Sequence, residues 1–120
     1  MYLYINEVNH IVCKGYIENT MSNKAIELFH EIKDPDEVII ILLFNACAQL
    51  RTTEALNLTK QVSSQIPQSF HSKSHLMTSL LDALMKCGDA ADAGTLFNTL
   101  KKKTIPMYGA MMKGKTYVYN

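Results

Sequence analysis

Apolar residues along this chain recur at intervals of three and four, the spacing that lays one stripe down a helix. Ala25, Leu28, Phe29 and Ile32 form one such stripe. Ala55, Leu58 and Val62 form a second, and Ala93, Leu96, Phe97 and Leu100 a third. Polar residues such as Glu27, His30 and Glu31 fall between them and are expected to face water. Only Val38 to Phe44 is apolar without a break, and alone it would suit a buried strand. Asp36, between Pro35 and Glu37, instead marks a helix start with negative charge near its positive end. The helix-compatible "NACAQL" follows, so a buried helix is expected there.

Start and stop signals punctuate the rest. Asp89 follows Gly88 with Asp92 three residues on, an acidic variant of a capping box. Ser22, Thr52 and Ser72 are candidate caps, Pro67 ends one helix, and Pro106 fits the first turn of another. Together these predict seven helices, over 7–18, 22–33, 37–49, 53–65, 73–86, 90–102 and 106–116. Linkers this short make antiparallel hairpins.

The pattern also repeats. "AIELFHEIK" at 25–33 returns as "AGTLFNTLK" at 93–101, 68 residues later. The small residues Gly15, Ala46, Ala83 and Gly114 stand 31, 37 and 31 residues apart, each about nine residues into the first helix of a pair. Small residues there are expected to let neighbouring helices approach closely. A two-helix repeat of this length means an α-solenoid. One hairpin cannot bury both its apolar faces, whereas a stack of hairpins can.

Composition narrows the function. A length of 120 residues fits one domain, and 48% hydrophobic with 19% charged content reads as soluble and globular. No apolar run approaches the roughly 18 residues of a membrane span. The start, "MYLYINEVNH", has neither a secretory signal's basic-then-apolar order nor a transit peptide's Arg- and Ser-rich character. The net charge of +1 supplies no basic face, and the one dense cluster is Lys101 to Lys103. Cys13, Cys47 and Cys87 are odd in number and far apart in apolar contexts, as expected of reduced packing thiols in an intracellular protein. His71 and His75 stand four apart, a spacing that puts two imidazoles on one helical face, but no carboxylate or Cys completes a metal set. No phosphate-cradling Gly loop or Ser-His-Asp motif occurs. The expectation is therefore a binding protein, not an enzyme, with no cofactor, metal or small-molecule substrate and no membrane.

"GYIENTMSNKAIELFHEIKDPD" and "LLDALMKCGDAADAGTLFNTLKKKTIPMYGAMMKG" resemble pentatricopeptide repeats, and "MKCGDAADAGTLF" is similar to that family's "KCGD…A..LF" phrase. The alternating 31 and 37 resemble its mixed-length subclass. Tetratricopeptide repeats are the nearest alternative, but their Trp…Leu-Gly…Tyr pattern is missing. The resemblance implies an all-α solenoid of about three and a half helix-turn-helix repeats in a right-handed superhelix. Its units would be 6–36, 37–73 and 74–104, with 105–120 half of a fourth, as in a truncated array.

It also implies single-stranded RNA as partner, one base per repeat. The family reads a base with a residue early in the first helix and the last residue of the unit, and sandwiches it with a second, often aliphatic, residue. The implied reading pairs are His10 with Asp36, Ile41 with Lys73, and Thr78 with Thr104, with Gly109 opening the incomplete unit. The implied sandwich positions are Glu7, Val38, His75 and Pro106. Only Thr78 and Asp36 have the residue types the family usually places there, and only Val38 is an aliphatic sandwich. Lys86 and Lys101 to Lys103 are the candidate phosphate contacts. Stacking contributes about 1–3 kcal/mol per base, so three units supply roughly 3–9 kcal/mol before ordering costs. Some family members carry a zinc deaminase domain, whose His-x-Glu…Cys-x-x-Cys signature is absent here. Such a segment would guide an RNA-processing or editing factor, in a mitochondrial or cytoplasmic setting. The alternative is a protein-interaction scaffold that self-associates through apolar ends, near Tyr108 to Tyr119.

Overall fold

The computed structural model describes residues 2–119, with side chains described for 5–112. Seven α-helices follow one another: α1 (Tyr2–Glu18), α2 (Ser22–Glu31), α3 (Glu37–Leu50), α4 (Thr53–Gln65), α5 (Ser74–Lys86), α6 (Ala90–Thr99) and α7 (Ile105–Tyr119). A short 3-10 helix, Gln68–Ser72, lies between α4 and α5 and was not expected from the sequence. No strand occurs among the described residues.

Three of the expected caps form. Asp36 accepts from the Ile39 N–H, Thr52 from Ala55 and Asp89 from Asp92, each satisfying a donor that the first helical turn leaves open. Ser22 and Ser72 do not cap. Met21 precedes α2 without a side-chain bond, and the buried Ser22 hydroxyl donates to the Gln49 side chain instead. The Ser72 hydroxyl donates to the Ser69 carbonyl at 3.1 Å, and Lys73 takes the N-cap place of α5. Each turn within a hairpin passes through a left-handed residue: Thr20, Arg51 and Gly88. These stand 31 (20 to 51) and 37 (51 to 88) residues apart, so the backbone carries the interval seen in the sequence.

Helices α1, α3, α5 and α7 form an inner row, each packed on the next. Helices α2, α4 and α6 form an outer row: α2 rests on α1 and α3, α4 on α3 and α5, and α6 on α5 and α7. Among the described residues, outer helices do not pack on one another, and no helix packs on another more than two α-helices away along the chain. This is nearest-neighbour stacking, the signature of a solenoid. The stack measures 43 × 31 × 23 Å.

The core runs along the seam between the rows. Phe44, Leu76, Met77, Leu81 and the small residues Ala46 and Ala83 are sealed within it. Gly15 departs from the expected close approach, because nothing lies within 4 Å of where its Cβ would stand. Gly114 falls outside the described side chains. In the outer row Ala25, Ala55 and Ala93 are all buried, with Ala55 one residue short of the 31 and 37 interval. Four residues after each come Phe29, Thr59 and Phe97. Thr59 is fully buried in this seat and donates its hydroxyl to the Ala55 carbonyl at 2.8 Å, which offsets the cost of sealing a polar group.

Candidate functional site

A helix presents one face at intervals of three and four. On α3 the interval picks out Val38, Asn45 and Gln49, and 37 residues later on α5 it picks out His75, Asp82 and Lys86. Asn45, Gln49, His75, Asp82 and Lys86 meet where the inner row is open to solvent, while Val38 lies outside this lining. Two adjoining hollows of about 330 and 360 Å³ share Asn45, Asp82 and Lys86. The first reaches His75, Thr78, Pro106 and Gly109, and the second Gln49 and Arg51. The fold thus brings Thr78, Lys86 and Gly109 to one groove. Sequence reasoning missed Asn45, Gln49, Arg51 and Asp82, although the same interval of 37 links Asn45 to Asp82 and Gln49 to Lys86.

Inside the groove Thr78 donates to the Ser74 carbonyl at 2.7 Å, which leaves its oxygen as an acceptor. Lys86 pairs with Asp82 at 3.1 Å, both side chains one-quarter exposed. Gln49 donates to the Ile17 carbonyl at 3.2 Å and accepts from Ser22, so it is tied to the neighbouring hairpin. Val38, His75, Pro106 and Glu7 are all exposed.

The other candidates lie elsewhere. His10 and Asp36 meet directly, with the imidazole Nε2 at 3.0 and 2.9 Å from the two carboxylate oxygens. Asp36 therefore joins α1 to the cap of α3. Ile41 is 6% exposed and belongs to the core, so it presents no surface to a base. The helix that carries it is packed by α1, α2, α4 and α5. Lys73 turns to Glu37 at 3.1 Å and lies over the Phe70 ring. Thr104 immediately precedes α7, its carbonyl accepting from the Met107 and Tyr108 N–H groups. Lys103 donates to the Leu100 carbonyl at 2.7 Å and covers the Phe97 ring, away from the groove lining.

His71 and His75 do not share a helical face. His71 lies in the last turn of the 3-10 helix and lines an outer hollow with Lys60 and Thr99, whereas His75 lines the groove. No cluster of three potential metal ligands occurs among the described residues. Cys47 and Cys87, remote in sequence, meet in space: the Cys87 thiol lies 3.4 Å from the Cys47 carbonyl. Burial, then the neighbouring Cys47, pushes the Cys87 thiol up to about 11, so it stays protonated at neutral pH. On the outer row Lys60 pairs with Asp89 and, at 3.1 Å, with Asp92, which ties α4 to the start of α6.

Comparison with known proteins decides the family. The chain is similar to a pentatricopeptide repeat-containing protein of Arabidopsis thaliana, 34% identical over 83% of the chain and 13% of the relative. A mitochondrial pentatricopeptide repeat-containing protein of the same plant is 30% identical over 86% of the chain and 16% of the relative. The chain belongs to the pentatricopeptide repeat family. A chloroplastic pentatricopeptide repeat-containing protein of Arabidopsis thaliana is 29% identical over 83% of the chain and 14% of its own length. The pentatricopeptide chain described here thus spans less than one-fifth of each of these relatives. No family model matches it, and no solved structure does. No described helix is long and apolar enough to cross a membrane.

Proposed function

We propose that this chain is an RNA-binding helical-repeat module that docks single-stranded RNA along the open face of α3, α5 and α7. One observation carries the reading: an acceptor, Thr78, and two cations, Lys86 and Arg51, line adjoining hollows on the inner row. Thr78 would accept from a base edge. Exposed His75, one turn before Thr78 on α5, and exposed Val38, two turns before Asn45 on α3, would flank the stacked bases. Lys86 and Arg51 would meet the phosphates. In the first hairpin His10 and Asp36 already satisfy each other, and a base would have to displace His10 while Asp36 keeps its cap. The units 6–36, 37–73, 74–104 and 105–120 are the register this docking uses. A place in an RNA-processing or editing factor would follow from further repeats or a partner.

Fluorescence anisotropy with a dye-labelled random-sequence RNA about twelve nucleotides long tests the reading. Binding is expected at about 50 mM salt and falls by about 200 mM, as counterion release requires. Lys86→Gln is expected to weaken it and to flatten the salt dependence by about one phosphate contact. Absence of binding at low salt contradicts the reading.

A second reading, a protein-interaction scaffold, has its own observation. The first and last helices expose large apolar side chains, with Ile11 at 72%, Ile105 at 87% and Met112 at 68%. Such ends favour self-association. The side chains of Lys115 and Tyr117 to Tyr119, part of the expected apolar end, lie outside the described residues. Light scattering at rising concentration discriminates: a strict monomer speaks against the scaffold.

A further inference from the structure

The groove contains an anion beside the cations that would meet phosphates. Asp82 stands at its centre, common to both hollows, and is paired with Lys86 at 3.1 Å one turn along α5. Both side chains are three-quarters withdrawn from solvent, so the two charges are less screened than an exposed pair. A phosphate that reaches Lys86 meets the carboxylate at close range. Arg51 lines the same hollow and holds a left-handed backbone (φ 56°), a conformation that glycine adopts at lower cost and Gly88 fills in the next hairpin. A cation is thus placed at a strained turn while an anion cancels its neighbour.

We propose that Asp82 is a built-in counter-charge: it holds Lys86 in an ion pair and keeps the affinity of this groove for RNA below what its cations allow. The inference rests on the RNA-binding reading above. Binding requires Lys86 to exchange Asp82 for a phosphate, and the nearby carboxylate opposes that exchange throughout. RNA affinity is set by this pair as well as by the residues that read bases.

Asp82→Asn keeps the shape and removes the charge, and Asp82→Ser gives a second variant should the amide disturb α5. With the full chain and the random-sequence RNA, Asp82→Asn is expected to bind about tenfold more tightly near 50 mM salt. Its salt dependence should steepen by about one phosphate contact. The gain should shrink when Lys86 is already Gln, because the two residues act as a pair. Glu54→Gln, an exposed carboxylate on α4, makes the same change in net charge away from the groove and should leave affinity nearly unchanged. If wild type binds and Asp82→Asn binds equally or more weakly, Asp82 serves to position Lys86, and the proposal fails while the RNA-binding reading stands. An equal gain from Glu54→Gln also overturns it. If neither wild type nor Asp82→Asn binds at low salt, the RNA-binding reading falls and takes the proposal with it.

Discussion

Helices α1 and α3 each open a hairpin and each carry large apolar side chains, yet they end differently. Phe44 on α3 is 0% exposed, whereas Ile11 on α1 is 72% exposed. Composition separates them in part, since α3 is the more apolar, and their neighbours complete the difference. Among the described residues, α3 is packed by α1, α2, α4 and α5, while α1 has only α2 and α3. Burial in a stack is given by the next unit, so large apolar side chains become core in the middle and stay at the surface at the end.

The comparison can be broken most forcefully at its buried extreme. Phe44→Ala should lower stability by about 3–5 kcal/mol, because it opens a cavity where no neighbour can collapse. Denaturant unfolding measures this, and a loss below about 1 kcal/mol would mean that α3 is not enclosed.

Asp36 sharpens the comparison, since it stands between the two helices. Asp36→Ala removes the α3 cap and the partner of His10, and should cost about 1–2 kcal/mol in the same assay. His10→Ala, which spares the cap, should cost less.

In the outer row, the Lys60 ammonium and then the Asp92 backbone N–H hold the Asp89 carboxyl below its usual range. A carboxyl depressed in the folded state stabilises above its unfolded value, near pH 4, and loses that contribution as pH falls through the folded value. The thermal midpoint of wild type should exceed that of Asp89→Asn at pH 7, and the gap should narrow below about pH 4. A gap that stays constant into acid would show that the ion pair contributes nothing.

At the exposed extreme Ile11→Ser should change stability by no more than about 0.5 kcal/mol. A larger loss would mean that something covers α1 in solution.

Much of the fold was legible because its signals are local. Asp36, Thr52 and Asp89 each bond a donor three residues away, so a short window holds both partners. Ser22 misled because its partner, Gln49, is 27 residues distant. The early start of α1 was missed because nothing breaks or caps a helix between Tyr2 and Glu7. The 3-10 helix was missed because Pro67 reads as a stop, and that helix is also what separates His71 from His75. Ile41 has the sequence position of a reading residue but the burial of its enclosed helix. Lys86 was legible as a groove cation. Its partner Asp82 and the opposing Asn45 needed the interval of 37 applied to polar as well as small residues.

The central claim is that each hairpin is sealed by its neighbours, and native-state amide hydrogen exchange tests it most directly. Amides of Ile39 to Cys47 and Leu76 to Met85 should exchange slowest, and those of Val8 to Val12 much faster despite equally regular helical hydrogen bonding. Equal protection in α1, α3 and α5 would contradict the account.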